Sequence, residues 1–321
     1  MLDLLRLTRP LNLLIIAATM AVVRYGVVAS IVSGMGLHLQ FPGMDFLLLV
    51  LSTVLIAAGG NVINDYFDTR IDKINRPGSV IVGRSVQRRT AMAGHLVLSG
   101  AGLLLGAVVV WHTRLWHLIG IPLFAIAALW TYSSSLKRRL IIGNAVVALL
   151  TALVPLTEGL YEVAHLQRAY AQGIGALVLD PDTFTFYLQV IRYWVGAFAA
   201  FAFLGTLVRE LQKDMADVDG DAALGCRTVP IVMGMGSARA LVIVHVLIMV
   251  TALLVLRAAF LGDTVSFWSI AAIIAALLLS AGLTYAARDR AGHLRAGQVM
   301  KVAMVLALTY GVLLRVIIQG Q

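Results

Sequence analysis

The chain is short of charge. Only 13% of its 321 residues are Asp, Glu, Lys or Arg, against about a quarter in ordinary soluble domains. With 60% hydrophobic residues and a mean hydropathy of +0.91, that shortage excludes a soluble domain and makes this an integral membrane protein. The lone cysteine, Cys226, excludes an internal disulfide and a multi-cysteine metal centre, and reads as a small packing residue. The seven histidines are scattered, with no zinc-type spacing. Seven prolines and 29 glycines are ordinary for membrane helices, where neighbouring helices re-satisfy freed backbone groups. Acid is scarcer than base, 16 residues against 25, for a net charge of +9. That excess does not point to nucleic acid, because the basic residues are spread among loops between apolar runs.

Those runs predict nine spans of roughly 20 residues, the length that crosses a hydrocarbon core. They lie at about 11–33, 44–66, 90–111, 115–134, 141–161, 185–208, 238–260, 267–287 and 298–318. The first follows Arg6 and Arg9 as a signal peptide would, but it is too long for one and lacks a small-residue cleavage site. A short turn at His112 to Arg114 makes spans three and four an antiparallel hairpin. The segment from Glu162 to Thr183 has no clean period and is expected to be a short interfacial helix or an irregular loop. All but six of the 25 Lys and Arg (Arg24, Arg114, Arg168, Arg192, Arg257, Arg315) fall on one side of this arrangement. The bias puts the N-terminus on the cytoplasmic side and the C-terminus outside. Arg24 falls well inside the first span, where an acid such as Glu158 is one candidate partner.

Half of the acids stand in two clusters: Asp65, Asp68, Asp72, and Glu210, Asp214, Asp217, Asp219, Asp221. Both close long apolar spans on the cytoplasmic side. The spacings 65, 68, 72 and 214, 217, 221 match, and each places three carboxylates on one face of a helix. In the first triad they spread over about 10 Å along the axis, with Asn64 joining Asp68 at i+4. Carboxylates at a membrane edge need cations, and hard oxygen donors of this kind suit Mg²⁺ held together with substrate phosphates. DVDGD resembles a calcium-binding loop, but the bidentate Glu that closes such loops is missing. The basic complement is Lys137, Arg138 and Arg139 after a serine run, with Arg70, Arg76, Arg84, Arg88 and Arg89. Such groups clamp a metal-bridged diphosphate by charge-assisted hydrogen bonds.

NDYFDTRID followed by INRP, then YSSSLKRR, then RELQKDMADVDGD followed by GCRTVP, together resemble the UbiA-type intramembrane prenyltransferase superfamily. The likeness runs over essentially the whole chain, and the two acidic motifs look most like enzymes that attach the second geranylgeranyl chain to a glycerophosphate. It implies an all-α polytopic fold, nine transmembrane helices around a central cavity with a cytoplasmic polar cap. The whole of 1–321 would form one domain, of two related halves at about 1–140 and 141–321. It implies that Asn64, Asp65, Asp68, Asp72, Asp217 and Asp221 hold Mg²⁺, two ions bridging the substrate diphosphate. Lys137, Arg138, Arg70 and Arg76 would bind the diphosphate. Glu210 and Asp214 would serve as proton acceptors beside the acceptor substrate, with Asn12, Arg84, Tyr132 and Lys213 near the acceptor or the cavity. One departure is plain: after Asn75-Arg76-Pro77 the lipid enzymes continue with another Arg-Pro, and this chain has Gly78-Ser79-Val80.

The expected partners are a prenyl diphosphate donor, a lipophilic acceptor and membrane lipid, with no nucleic acid. The expected reaction transfers a geranylgeranyl group to the free hydroxyl of geranylgeranylglyceryl phosphate. Tyr66, Phe67, Trp130 and Tyr132 lie near the motif level, where aromatic faces could steady an allylic cation. An aromatic acceptor of the quinone or chlorophyll type stays open. A divalent-cation transporter is a distant alternative, since it needs acids at the midplane and an exit on the far side.

Overall fold

The computed structural model describes residues 2–75, 78, 80–171 and 180–319. It is all-helical apart from a single β-bridge between Val82 and Val86 among those residues. The helices are α1 (Leu2–Leu7), α2 (Pro10–Ala21), α3 (Ala29–Gly34), α4 (Gly43–Asn75), α5 (Arg88–Thr113), α6 (Gly120–Ser134) and α7 (Ile142–Ala171). They continue with α8 (Pro181–Ala216), α9 (Val218–Ala223), α10 (Val229–Val232), α11 (Gly234–Phe260), α12 (Thr264–Ala286) and α13 (Arg290–Gln319). Nine candidate membrane spans lie among the described residues, at the places the hydropathy predicts. The protein is an integral membrane protein.

The acid-bearing helices are the two longest, 33 residues for α4 and 36 for α8. At 1.5 Å per residue each is about 50 Å long, well beyond a hydrocarbon core of about 30 Å. In α4 the surplus carries the whole acidic motif past the apolar stretch without a break, whereas α8 carries only Glu210 and Asp214 and ends at Ala216. α7 is longer than expected, running to Ala171 and so through the first part of the segment from Glu162 to Thr183. Its interior Pro155 does not end it. Residues 172–179 of that segment lie outside the described residues, and α8 already begins at Pro181.

The chain forms two compact units. The first comprises 1–18, 43–150 and 217–234; the second comprises 19–42, 151–216 and 235–321. In the first, α4 packs on α5 and α6 through small residues. A Cβ on Gly59 would meet the Ser99 hydroxyl at 2.5 Å, and one on Gly102 would meet the Ser52 carbonyl at 2.9 Å. The Ser52 hydroxyl donates to the Gly102 carbonyl at 2.7 Å, so close approach and an interhelical hydrogen bond coincide. Arg114, in the left-handed region at φ 56, closes the short turn after α5.

In the second unit, a π-helical turn over Val22–Val28 meets α13, where a Cβ on Gly26 would lie 2.4 Å from the Gly311 carbonyl oxygen. Gln212 on α8 donates to Ser280 and Thr284 on α12 at 2.9 and 2.7 Å. Arg24 sits in the π-helical turn, fully buried, 3.2 Å from Glu162 of α7. Its Nη2 also donates to the Phe41 carbonyl, while Glu162 accepts the Gln40 and Phe41 N–H groups at 2.7 and 3.1 Å. Arg24 is therefore paired with Glu162, one helical turn beyond Glu158, on which its charge also acts.

Candidate active site

The first unit brings together the end of α4, a 3₁₀ turn at Leu136–Arg138 and the short helix α9. On α4, the Asn64 amide donates to Asp68 Oδ2 at 2.9 Å, the i+4 pairing that the sequence predicts. Lys137 Nζ, from the 3₁₀ turn, contacts Asp68 Oδ1. Asp68 is only 7% exposed, so the ammonium supplies a positive charge that a buried carboxylate needs. The turn is seated tightly: a Cβ on Gly143 would meet Lys137 Cα at 2.7 Å and the Leu136 carbonyl at 2.8 Å. Ile141, at φ 62, is a β-branched residue in the left-handed region, a backbone state such residues rarely adopt.

Asp217 and Asp221 belong to the same unit and are nearly as buried, at 7% and 9% exposed. Asn75, the last residue of α4, fixes them. Its amide nitrogen donates to the Asp217 carbonyl at 3.4 Å, and its Oδ1 accepts the Gly220 N–H at 3.1 Å. A side chain at 220 would collide with Asn75, the built Cβ falling 2.3 Å from Asn75 Oδ1. The Arg138 carbonyl accepts the Arg227 N–H at 2.9 Å, tying the basic turn to the chain after α9. The sequence reading passed over Asn75. The available signal was its place three residues after Asp72, one turn along the same helix face.

The second acidic motif differs from its expectation. α8 stops at Ala216, and Asp217 stands at φ −103, ψ 12 before α9 begins. Asp214, Asp217 and Asp221 therefore do not share one continuous helical face. The break falls at Asp217 alone, a residue type whose side chain competes for backbone hydrogen bonds, and Val218–Ala223 resume as α9. In the first motif the triad stays on one uninterrupted helix, but Asp65 is engaged by the N-terminal segment. Its Oδ1 accepts from Arg9 Nη2 at 2.6 Å, and it points to the N-terminal segment. Among the described residues, no three of His, Cys, Asp and Glu are grouped so as to hold a metal ion unaided.

Asp72 is half-buried on α4, and Arg70 and Arg138 are exposed. Arg76 lies outside the described residues. Asn12 and Tyr132 are half-buried in the first unit, on α2 and α6, and Arg84 is exposed on the turn before α5. Phe67 meets Trp130 edge to face at 5.7 Å, whereas the Tyr66 face is covered by the Arg88 guanidinium at 4.0 Å. Glu210, Lys213 and Asp214 belong to the second unit. Glu210 is buried there, 3.0 Å from Arg209 Nη2 and 3.9 Å from Lys213 Nζ.

Comparison with known proteins places this geometry. The UbiA prenyltransferase family model matches residues 26–305. A digeranylgeranylglyceryl phosphate synthase of Thermococcus kodakarensis is 30% identical over 306 residues, covering 95% of this chain and 94% of the relative. A UbiA homolog from Aeropyrum pernix K1, solved in its apo form, superposes with a TM-score of 0.64 at 14% identity, over 93% of this chain and 96% of that one. A UbiA homolog from Archaeoglobus fulgidus bound to DMAPP and Mg²⁺ superposes at 0.52 with 17% identity, over 97% of this chain and 99% of that one. The chain belongs to the UbiA prenyltransferase family.

Proposed function

We propose that the protein transfers a geranylgeranyl group from its diphosphate to the free hydroxyl of geranylgeranylglyceryl phosphate, with Mg²⁺, making an ether lipid. The support is the near full-length relative, a digeranylgeranylglyceryl phosphate synthase, together with the site in the first unit. The observation that carries the reading is the Lys137 ammonium on Asp68, beside Asn64, with Asp217 tied to the same helix end through Asn75. Buried oxygen donors meet a basic turn at the end of a long membrane helix.

The donor set fits Mg²⁺. Asn64, Asp68, Asp72, Asp217 and Asp221 offer hard oxygens, and Asp68 already takes a cation in the form of an ammonium. Mg²⁺ uses one or two carboxylates plus waters and substrate phosphates, so a three-carboxylate cage is not needed. We assign two ions, and Asp65, paired with Arg9, is an outer member of the set. When bound, Mg²⁺ neutralises the diphosphate leaving group.

Lys137, Arg138, Arg70 and Arg76 bind the diphosphate oxygens and stabilise the charge that grows as the allylic C–O bond breaks. Apolar helix faces exclude water from the carbocation-like carbon, with Phe67 and Trp130 nearby. The acceptor hydroxyl oxygen then forms the ether bond, diphosphate departs, and Glu210 or Asp214 takes the proton. The active site and N-terminus face the cytoplasm under a polar cap, with the C-terminus outside. Residues 1–321 act as one prenyltransferase domain. Its halves at about 1–140 and 141–321 are related repeats, a reading supported by an acidic motif at the end of α4 and another across the end of α8 and α9.

Mass spectrometry of products from purified protein, Mg²⁺ and mixed donors and acceptors tests this. The digeranylgeranyl ether should appear only with Mg²⁺ and the glycerophosphate. Alkylation of an aromatic acid alone would overturn the acceptor assignment. Asp68→Asn and Asp217→Asn should each lower turnover by about 100-fold or more while leaving the helical circular dichroism intact. Wild-type turnover in either would contradict the metal assignment.

A further inference from the structure

Beside the carboxylate face of α4, the first unit carries a second and chemically different pocket. A cavity of ≈ 540 Å³ is lined by Thr69, Lys73, Val82, Gly83, Arg84 and Arg88, a size suited to a small-molecule site. Three of its lining residues are cations and none is an acid. Thr69 and Lys73 follow Asp68 and Asp72 by one residue each, so this wall is turned about 100° around α4 from the face that Lys137 contacts.

One of the cations is held in place. Arg88 Nη1 donates to the Thr69 hydroxyl at 3.1 Å, and its guanidinium lies over the Tyr66 ring at 4.0 Å. Arg88 is also the first residue of the 26-residue α5, whose N-cap Gln87 makes no side-chain cap hydrogen bond. The positive end of that helix therefore adds to the charge of the pocket. The acid Asp3 reaches the pocket's loop at Ser85, and that hydrogen bond together with the Arg6 guanidinium holds its carboxyl below the usual range.

We infer that this pocket binds the phosphate monoester of the acceptor lipid, directly and without a metal. The inference rests on the glycerophosphate reading above and deepens it. A pocket of cations without carboxylates holds an anion with no bridging ion, whereas the Asp68 face needs one. The two anionic substrates are thereby sorted onto adjacent faces of α4. The diphosphate goes to the carboxylate side and the monoester to Lys73, Arg84 and Arg88.

The test is steady-state kinetics of the purified full chain in nanodiscs. Arg84 is exposed, so Arg84→Gln leaves packing untouched; Arg84→Gln/Arg88→Gln is the stronger variant. The acceptor KM should rise about tenfold or more, with the donor KM within twofold and partial recovery in Arg84→Lys. An acceptor KM within twofold of wild type, or equal rises in both KM values, overturns the proposal. A second arm separates this from failure of the acceptor reading. In EDTA, the wild type should bind vesicles containing phosphatidic acid over neutral ones, and the double variant should lose that preference. If wild type makes no product from the glycerophosphate yet shows this preference, the pocket stands with a membrane headgroup as its monoester. Equal retention by wild type and variant overturns it.

Discussion

At the scale of single residues, buried polar groups carry the largest consequences. Arg24 and Glu162 form a fully buried pair, and Glu158, one turn away, is buried with neither oxygen hydrogen-bonded. Arg24→Gln should destabilise the protein by about 3–5 kcal/mol, because it strands the Glu162 charge. Arg24→Gln/Glu162→Gln should recover much of the loss, and thermal unfolding in detergent measures both. Asn75 is the residue-scale test of the site. Asn75→Ala removes the hydrogen bonds to Asp217 and Gly220 without touching a carboxylate. Turnover should fall about tenfold or more, as expected when a positioning contact is lost, with a raised Mg²⁺ requirement. Unchanged Mg²⁺ dependence would remove Asn75 from the site.

At the scale of elements, helix ends decide more than helix middles. α12 begins at Asp263, whose carboxylate accepts the Ser266 N–H at 2.8 Å as an N-cap. Burial pushes this carboxyl up, but hydrogen bonds from Ser266 outweigh it and hold it below its ordinary value. Its folded pKa is therefore depressed. The cap's contribution is complete above the unfolded pKa of about 3.9 and is lost as pH falls through the folded value. Asp263→Ala should cost about 1 kcal/mol at pH 7, and the difference from wild type should shrink as the pH is taken below about 3.9. Melting curves on the two sides of that value check the sign. The end of α8 at Ala216 is the other decisive terminus, since it hands Asp217 and Asp221 to a separate short helix in the first unit.

At the scale of the whole molecule, orientation is the claim with the most reach. The proposed topology puts both acidic motifs in the compartment where prenyl diphosphates are soluble. Cys226 is buried, so the chain is a quiet background for thiol labelling. A cysteine introduced at Gly262, an exposed residue between α11 and α12, should react with an impermeant reagent from outside intact cells. One at Arg89 should react only after the membrane is opened. The reverse pattern would invert the topology and with it the side from which substrates enter.

The amino-acid sequence by itself determined the spans and the chemistry on offer. Bilayer thickness sets the length of an apolar run, so the nine candidate spans among the described residues were legible from hydropathy alone, though several of their helices run well past the apolar stretch. The same local logic placed Asn64 against Asp68, because i+4 neighbours on a helix meet wherever the helix goes. Only the tertiary structure decided which polar groups pair across helices. Asn75 reaches Asp217 across 142 residues of chain, Lys137 reaches Asp68, and Arg24 meets Glu162. Those choices depend on which helices adjoin and at what rotation. That is set by small-residue packing such as Gly59 against Ser99 and Gly26 against Gly311, and no one-dimensional pattern records it.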